Sequence, residues 1–171
     1  MIRRDNPRVQ DIENMSFEFP WSEDDFIRCL RQRNCIGMVA EKNEDVVGYM
    51  VYELHKNKLQ ILNFAVDSKY RRTGIGTEMI EKLKNKLSEK RRTRILLEVR
   101  ESNLPAQLFF RENKFRATSI LKNFYLDTTD DAYLMQYHLR YQKEGFDFND
   151  NKKTMISSSL LGNRLNYRNA A

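Results

Sequence analysis

The chain has 171 residues and a formal net charge of +6, with 40% hydrophobic and 32% charged residues. This length suits one domain with one core. No stretch approaches the roughly 20 apolar residues of a membrane helix, and no apolar secretory signal follows the first residues. We therefore expect a cytoplasmic protein in which Cys29 and Cys35 are buried thiols rather than a disulfide framework.

The first part of the chain predicts helices followed by a meander of strands. Residues 2–4 have the pattern of a short strand, and Asn6-Pro7 can open a helix that runs toward Met15. Ser22, followed by three acidic residues, predicts the start of a second helix. Three apolar runs separated by short polar turns then predict an antiparallel meander. These runs are residues 36–40, 46–54 and 59–66.

The second part alternates strands and helices. Gly74 precedes a helix whose apolar residues recur at helical spacing as far as Leu87. Asn103 can cap a further helix that begins near Pro105. Three short strands complete the pattern, at residues 95–99, 115–120 and 133–139. The order predicts an α/β (α+β) domain over residues 1–142 with a mixed sheet and helices on both faces. Residues 143–171 are interpreted as a loose polar extension.

The segment Arg71-Arg72-Thr73-Gly74-Ile75-Gly76 lies between a predicted strand and a predicted helix, which indicates an anion site. A helix N-terminus has unpaired N–H groups and a partial positive charge, and glycines let the backbone approach a ligand. Pyrophosphate suits such a site, and arginines add charge-assisted contacts. Taken alone, Gly-x-Gly is equally compatible with a plain tight turn. A P-loop is excluded because no Gly-Lys-Ser/Thr is present, and a dinucleotide fingerprint because Met79 replaces its third glycine.

The same segment matches the Arg/Gln-x-x-Gly-x-Gly/Ala motif of the GNAT N-acetyltransferases. Further matching residues occur in the family's order along the chain. They are Pro20-Trp21-Ser22, Ala65-Val66-Asp67, Leu97-Glu98-Val99-Arg100, Ser102-Asn103, Phe115, Asn123-Phe124-Tyr125 and Asp131-Ala132. Over residues 1–139 the chain resembles the RimI-like branch of this family, the ribosomal-protein alanine N-acetyltransferases.

The resemblance implies a GNAT fold with a mostly antiparallel sheet of about seven strands, which splays open beside the strand that carries residues 63–66. It implies acetyl-CoA as co-substrate, bound in that gap. The cofactor-binding residues would be Phe64, Ala65, Val66, Arg71, Arg72, Thr73, Gly74, Ile75, Gly76, Thr77 and Asn103. No metal is expected, because His55 and His138 lack the spacing of metal ligands.

The resemblance also assigns Glu98 as the general base that deprotonates the attacking amine. Glu98 is the one carboxylate within residues 95–99, so apolar neighbours can raise its pKa. From the residues alone, a solvent-facing or ion-paired glutamate is the commoner outcome. An α-amino group, with a pKa of about 7.7–8.0, needs only a modest base, whereas a lysine amine has a pKa of about 10.4.

One position departs from the family. Phe110 stands where relatives have a tyrosine that protonates the departing thiolate, and a phenylalanine has no proton to donate. A thiol with a pKa of about 8–9 leaves with little help, and Tyr125 or water can substitute as the acid. Weak or lost activity is the other outcome.

We therefore expect an N-acetyltransferase that acts on a primary amine, above all the N-terminal α-amino group of a protein, for which a ribosomal protein is a candidate. The alternative is a weakened or non-catalytic module that binds CoA, a protein or the ribosome. We expect no DNA or membrane partner, and a monomer or weak dimer.

Overall fold

The computed structural model describes residues 5–140, which form a six-stranded sheet with the strand order β1-β2-β3-β4-β6-β5. All neighbouring strands are antiparallel except β3 and β4. The strands are β1 Cys35–Lys42, β2 Asp45–Leu54, β3 Lys58–Val66, β4 Arg94–Arg100, β5 Arg116–Leu121 and β6 Ala132–His138. The α-helices are α1 Asn6–Ser16, α2 Glu23–Leu30, α3 Ile75–Lys84 and α4 Leu104–Glu112.

This architecture confirms the predicted fold class, the meander and the order of elements. Six strands are described where about seven were expected. The strand predicted at residues 2–4 and the extension predicted at residues 143–171 both lie outside the described residues. Helix α3 ends at Lys84 rather than near Leu87, because the last turn tightens into bonds between residues three apart, such as Leu87 N to Lys84 O at 2.9 Å.

The helices cover both faces of the sheet, as predicted. On one face α3 and α4 pack on the apolar side chains of β3, β4 and β6, in a cluster that contains Ile80, Leu83 and Phe110. On the other face α1 and α2 pack on β1 to β3, in a cluster that contains Ile12, Trp21 and Phe26. Each helix therefore buries one stripe against the sheet.

The caps predicted at Ser22 and Asn103 form, whereas Asn6 does not cap α1: it is the first residue of that helix, and the N-cap is Asp5, which makes no side-chain cap hydrogen bond. Ser22 and Asp25 close a capping box at the start of α2, with Ser22 N donating to Asp25 Oδ2 at 3.0 Å and Asp25 N donating to Ser22 Oγ at 3.2 Å. Asn103 Oδ1 accepts a hydrogen bond from Ala106 N at 3.1 Å and caps α4. Each cap satisfies helix N–H groups that have no partner inside the helix.

The expectation of two thiols is wrong in this structure, which joins Cys29 and Cys35 in a disulfide. The turn from α2 into β1 brings their Cα atoms to 6.1 Å, within the range that a disulfide spans. Both residues are buried, as predicted.

Strands β3 and β4 pair only at their beginnings. The parallel pairs are Lys58 with Arg94, Leu59 with Ile95 and Gln60 with Leu96, and the described chain has no β3–β4 pair beyond them. On its other side β3 shifts register against β2, because Val51 pairs with Asn63 and Tyr52 with Ile61, which leaves Leu62 as an extra residue. A bulge increases the local twist of a strand, so β3 turns away from β4 and the sheet opens between them.

A buried polar network ties α1 to this bulge. Glu13 has no exposed surface. Its Oε1 accepts hydrogen bonds from Trp21 N at 2.7 Å and Asn63 Nδ2 at 3.1 Å, and its Oε2 is in direct hydrogen-bond contact with the Tyr49 hydroxyl. Tyr49 Oη also donates to Asn63 Oδ1 at 3.1 Å. Burial raises the pKa of Glu13 from 4.5 to about 7.

A protonated Glu13 satisfies every group of this network. Its carboxyl O–H can donate to Tyr49 Oη, which leaves the Tyr49 proton for Asn63. An ionised carboxylate would instead accept the hydrogen bond of the Tyr49 hydroxyl and leave Asn63 Oδ1 without a donor. Its charge would also be buried without water, which is unfavourable. We therefore infer that the network is built for the neutral acid.

This inference predicts how stability depends on pH. Because the pKa of Glu13 is higher in the folded protein, its stabilising contribution is full below pH 4.5 and is lost as pH rises through about 7. The loss is on the order of 3 kcal/mol. We expect Glu13→Gln, which keeps the neutral hydrogen bonds, to flatten the fall in unfolding free energy between about pH 5 and about pH 8. Urea denaturation at both pH values measures this.

The exposed Glu18 provides the control, because Glu18→Gln removes a carboxyl from the next segment of chain without touching the network. That variant should retain the wild-type pH dependence. An equal pH dependence in wild type and Glu13→Gln would show that Glu13 is already ionised in the folded protein.

Candidate functional site

Glu98 lies on β4, two residues beyond the last β3–β4 pair, at the point where the strands separate. Gln60, the last paired residue of β3, reaches across with its Nε2 at 3.1 Å from Glu98 Oε1 and 3.4 Å from Oε2. The Lys58 ammonium donates to Gln60 Oε1 at 2.8 Å. A short polar relay therefore orients the carboxylate at the narrow end of the opening.

Burial raises the pKa of the Glu98 carboxyl, and the hydrogen bond from Gln60 and the charge of Lys58 oppose that rise. The flanking residues Leu97 and Val99 point into the core. The pKa of Glu98 is therefore shifted in the direction that its apolar neighbours predict. A carboxylate so placed binds a proton more readily than a solvent-exposed glutamate does, which suits proton transfer near neutral pH.

The loop of residues 71–77 has the geometry of an anion cradle. Gly74, the N-cap of α3, has φ +94° and Arg72 has φ +63°. Within residues 5–140, no acceptor is found for the backbone N–H groups of residues 72–77, and the next N–H, that of Glu78, donates to Gly74 O at 3.0 Å. A row of donors at a helix N-terminus fits the phosphates of a nucleotide-like ligand.

Asp67 shapes the entry to this loop. It accepts a hydrogen bond from Lys69 N at 2.9 Å, caps the 3-10 turn Ser68–Tyr70 and pairs with Arg8 of α1. The Arg71 side chain is also engaged within the protein, with Nε at 3.0 Å from Val66 O and Nη2 at 3.0 Å from Ser16 Oγ. Of the two predicted phosphate-binding arginines, Arg71 therefore also holds the loop in place.

Gly76 is needed for packing as well as for access. A Cβ at this position would lie 3.1 Å from Phe109 Cζ and 3.5 Å from Phe64 Cζ. The absence of a side chain lets α3 and α4 meet over β3, where Phe64 and Phe109 stack with centroids 5.7 Å apart. Residues 64–66 of β3, which are predicted to pair with the co-substrate, lie along the opening between Gln60 and the loop of residues 71–77.

Phe110 is fully enclosed in the core. Its ring lies 5.1 Å from that of Phe109, 5.3 Å from Phe115 and 6.1 Å from Phe64. The position at which the family resemblance implies a tyrosine is therefore occupied by a ring of an aromatic cluster, and Phe64 of that cluster lies on β3, which borders the opening.

Tyr125 follows β5 and is almost fully buried. The Arg100 guanidinium lies over its ring, 3.8 Å from the centroid. Burial raises the pKa of the Tyr125 phenol, the charges of Glu98, Asp127 and Asp130 raise it further, and Arg100 opposes the rise. The phenol is therefore protonated throughout the neutral range, and the charge of Glu98 is among those that act on it.

Comparison with known proteins identifies the family. The model of the acetyltransferase (GNAT) family matches residues 6–115. The chain belongs to the GNAT acetyltransferase family. It is an acetyl-CoA-dependent N-acetyltransferase with the GNAT fold.

Similar proteins were found among bacteria and archaea. A Bacillus subtilis protein assigned to the ribosomal protein bS18-alanine N-acetyltransferases is 33% identical over 79% of this chain and 90% of its own length. An N-alpha-acetyltransferase of Saccharolobus solfataricus is 31% identical over 64% of this chain and 73% of its own. The crystal structure of the Escherichia coli ribosomal-protein-S18-alanine N-acetyltransferase superposes with a TM-score of 0.72 at 26% identity, over 81% of this chain and 90% of that one.

Sequence reasoning did not assign a role to several residues around Glu98. Gln60 is one of two polar residues, with Asn63, in the otherwise apolar run of residues 59–66, which was the available signal. Arg100 was noted in the motif without a function, and its acidic partners Asp127 and Asp130 lie 27 and 30 residues away. Within the described chain, no helix is long and apolar enough to cross a membrane, and no group of three potential ligands could hold a metal ion.

The cradle predicts that Arg72 contributes to binding of acetyl-CoA. Arg72→Glu places a negative charge beside the N–H groups of residues 72–77. We therefore expect the Kd of acetyl-CoA to rise by roughly 10- to 100-fold, which corresponds to the loss of one or two charge-assisted contacts. Isothermal titration calorimetry measures this. The control is Arg33→Glu, which reverses an exposed charge between α2 and β1. Equal affinity in the two variants would contradict the location of the cradle.

Proposed function

We propose that this enzyme acetylates the N-terminal α-amino group of a protein, with Glu98 as the general base. The observation that carries the proposal is the half-buried Glu98 at the mouth of the β3–β4 opening, oriented by Gln60. In the reaction, the neutral amine attacks the acetyl carbonyl of the thioester. The proton lost by nitrogen passes to Glu98, directly or through water, and the thiolate departs.

The residues that would hold acetyl-CoA are those of the opening and the cradle. The backbone of residues 64–66 would pair with the amide-containing arm, and the N–H groups of residues 72–77 with the pyrophosphate. Arg72 would add charge to this contact. The amide nitrogen of Asn103 would face the cofactor, because its carbonyl oxygen is occupied in capping α4.

Relatives support a protein N-terminus as acceptor. The names of two of them state acetylation of an alanine in a ribosomal protein, and a third is an N-alpha-acetyltransferase. The pKa of an α-amine is about 2.5 units below that of a lysine amine, so the α-amine needs less help from a carboxylate base. A ribosomal protein is the first candidate, which would place the reaction in the cytoplasm.

Tyr125 supplies the hydroxyl that Phe110 lacks. With a pKa above that of a free phenol, Tyr125 is a weak proton donor to a thiolate but a reliable hydrogen-bond donor. We propose that it stabilises the departing sulfur or the acceptor by hydrogen bonding and that full protonation by water is sufficient.

The general-base role predicts that Glu98→Gln lowers kcat by roughly 10²- to 10⁴-fold, because the amide cannot accept the proton. The Kd of acetyl-CoA should not change. Burial raises the pKa of Glu98, so the wild-type rate should fall in acid more steeply than protonation of the substrate amine alone requires, and the variant should keep only the limb that belongs to the amine. Steady-state rates with an alanine-starting peptide across pH measure both effects.

Gln60→Leu serves as the matched control because it keeps the carboxylate and removes the hydrogen bond that lowers its pKa. This variant should remain active, with the acidic limb displaced to higher pH. A Glu98→Gln enzyme with the wild-type rate and pH profile would mean that Glu98 is structural.

The aromatic cluster predicts the effect of restoring the family's tyrosine. If proton donation to the thiolate limits the rate, Phe110→Tyr should raise kcat, and it should cost about 1–3 kcal/mol of stability if its hydroxyl finds no partner. Phe115→Tyr is the control, since Phe115 is equally buried in the same cluster and carries no catalytic expectation. Rate and thermal unfolding are measured on the same samples.

A faster Phe110→Tyr enzyme beside an unchanged Phe115→Tyr enzyme would identify proton donation as limiting. If wild type is active and neither variant is faster, thiolate departure needs no acid at this position. Inactivity of all three toward peptide and lysine amines would favour the non-catalytic module.

A further inference from the structure

Arg100 joins the end of β4 to the loop between β5 and β6. Its Nη2 lies 2.8 Å from Asp127 Oδ2, and its Nη1 lies 3.4 Å from Asp130 Oδ2 and 2.7 Å from Thr128 Oγ1. The same guanidinium covers the ring of Tyr125 at 3.8 Å. A planar fork that is ion-paired at its edge and stacked on its face is held more firmly than a surface ion pair, and only arginine can make both contacts.

Arg100 also reaches the segment between α1 and α2. Its guanidinium carbon is 5.5 Å from the centroid of the Phe19 ring. Phe19 is two residues from Trp21, whose backbone N–H is held by the buried Glu13. One side chain therefore contacts both the α1–α2 segment and the β5–β6 loop.

These contacts surround the proposed base. Glu98 and Arg100 are two residues apart on one strand, so their side chains leave the same face of the sheet, while Val99 between them enters the core. The backbone of Arg100 is fixed as well, because its carbonyl accepts hydrogen bonds from Asn103 N at 3.1 Å and Gln107 Nε2 at 2.9 Å. The guanidinium thus has a defined position relative to the Glu98 carboxylate.

The charges around Arg100 matter for an amine substrate. An uncompensated cation this close to Glu98 would repel a protonated N-terminus. Asp127 and Asp130 pair with Arg100, and with Glu98 they make three carboxylates against two cations, Arg100 and the Lys58 that acts on Glu98. The site therefore attracts the protonated amine although an arginine stands beside it.

We propose that Arg100 is a positioning residue for acceptor binding, which holds Tyr125 and the β5–β6 loop on one side and Phe19 on the other as the two walls of the acceptor site. This inference rests on the proposed function, because it takes Glu98 to mark where the amine lies. It adds a determinant of acceptor affinity that is separate from the base and from the acetyl-CoA cradle.

The test compares wild type, Arg100→Met and Arg100→Lys as full-length proteins. Arg100→Met keeps the apolar stem and loses the charge, whereas Arg100→Lys keeps the charge and loses the planar fork. We expect the KM for an alanine-starting peptide to rise about tenfold or more in Arg100→Met and by less in Arg100→Lys. The Kd of acetyl-CoA and the acidic limb of kcat should not change.

A triple variant separates positioning from charge balance. Arg100→Met combined with Asp127→Asn and Asp130→Asn removes the acids that the arginine would otherwise leave unpaired. If Arg100 served only to neutralise those acids, the triple variant would regain the wild-type KM, and the proposal would be overturned. A KM that stays high supports positioning when the amides of residues 123–131 also exchange faster than in wild type, since the cation over Tyr125 is still missing.

Hydrogen exchange supplies a readout that needs no catalysis. Amides of residues 123–131 should exchange faster in Arg100→Met, while those of β4 and β6 retain wild-type protection. Unchanged exchange in the loop would overturn the proposal. A wild-type enzyme that acetylates no α-amine would refute the proposed function instead, and the exchange experiment would still decide whether Arg100 holds the loop.

Discussion

The parting of β3 from β4 is the constraint on which the site depends. Parallel strands that had stayed paired would have used the backbone groups of residues 61–66 within the sheet and covered Glu98. Pairing instead ends at Gln60 and Leu96, and the bulge at Leu62 turns β3 outward. The loop that follows β3 then presents its N–H groups at the far end of the same opening. A single local irregularity thus sets the positions of the base, the strand edge and the cradle.

The buried Glu13 and the half-buried Glu98 show why a raised pKa does not by itself identify a catalytic group. Burial raises the pKa of both Glu13 and Glu98. Glu13 is enclosed, and each of its oxygens has a partner in Trp21, Tyr49 or Asn63. Glu98 has its side-chain partner on one side only, at the mouth of an opening. Access and unused hydrogen-bonding capacity, rather than the direction of the shift, distinguish a proton carrier from a structural acid.

Local patterns in the sequence were sufficient for most of the fold. Helix starts at Ser22 and Asn103, the turn before β2 and the glycine-flanked start of α3 are each encoded within a few neighbouring residues, and the structure has them where the patterns indicated. The opening beside residues 63–66 was expected from the family resemblance and not from any local pattern. What could not be predicted depends on contacts distant in sequence: the insertion of β6 between β4 and β5, and the ion pairs of Arg100. The disulfide escaped prediction because two cysteines six residues apart carry no information on the angle of the turn between them.

The open edge inside this sheet also differs from the edges at its rim. An outer strand exposes backbone groups to which any extended chain can add, which is a common route to aggregation. At the start of the gap, β3 and β4 are separated by the distance between two neighbouring strands. A whole strand could be inserted only where they are twice as far apart, about 9–10 Å. Near Gln60 and Leu96 the opening is therefore too narrow for a β-strand, and it suits a thin, unbranched ligand that carries amide groups. The geometry that exposes the backbone of β3 to a small ligand therefore also limits the addition of a further strand at this inner edge.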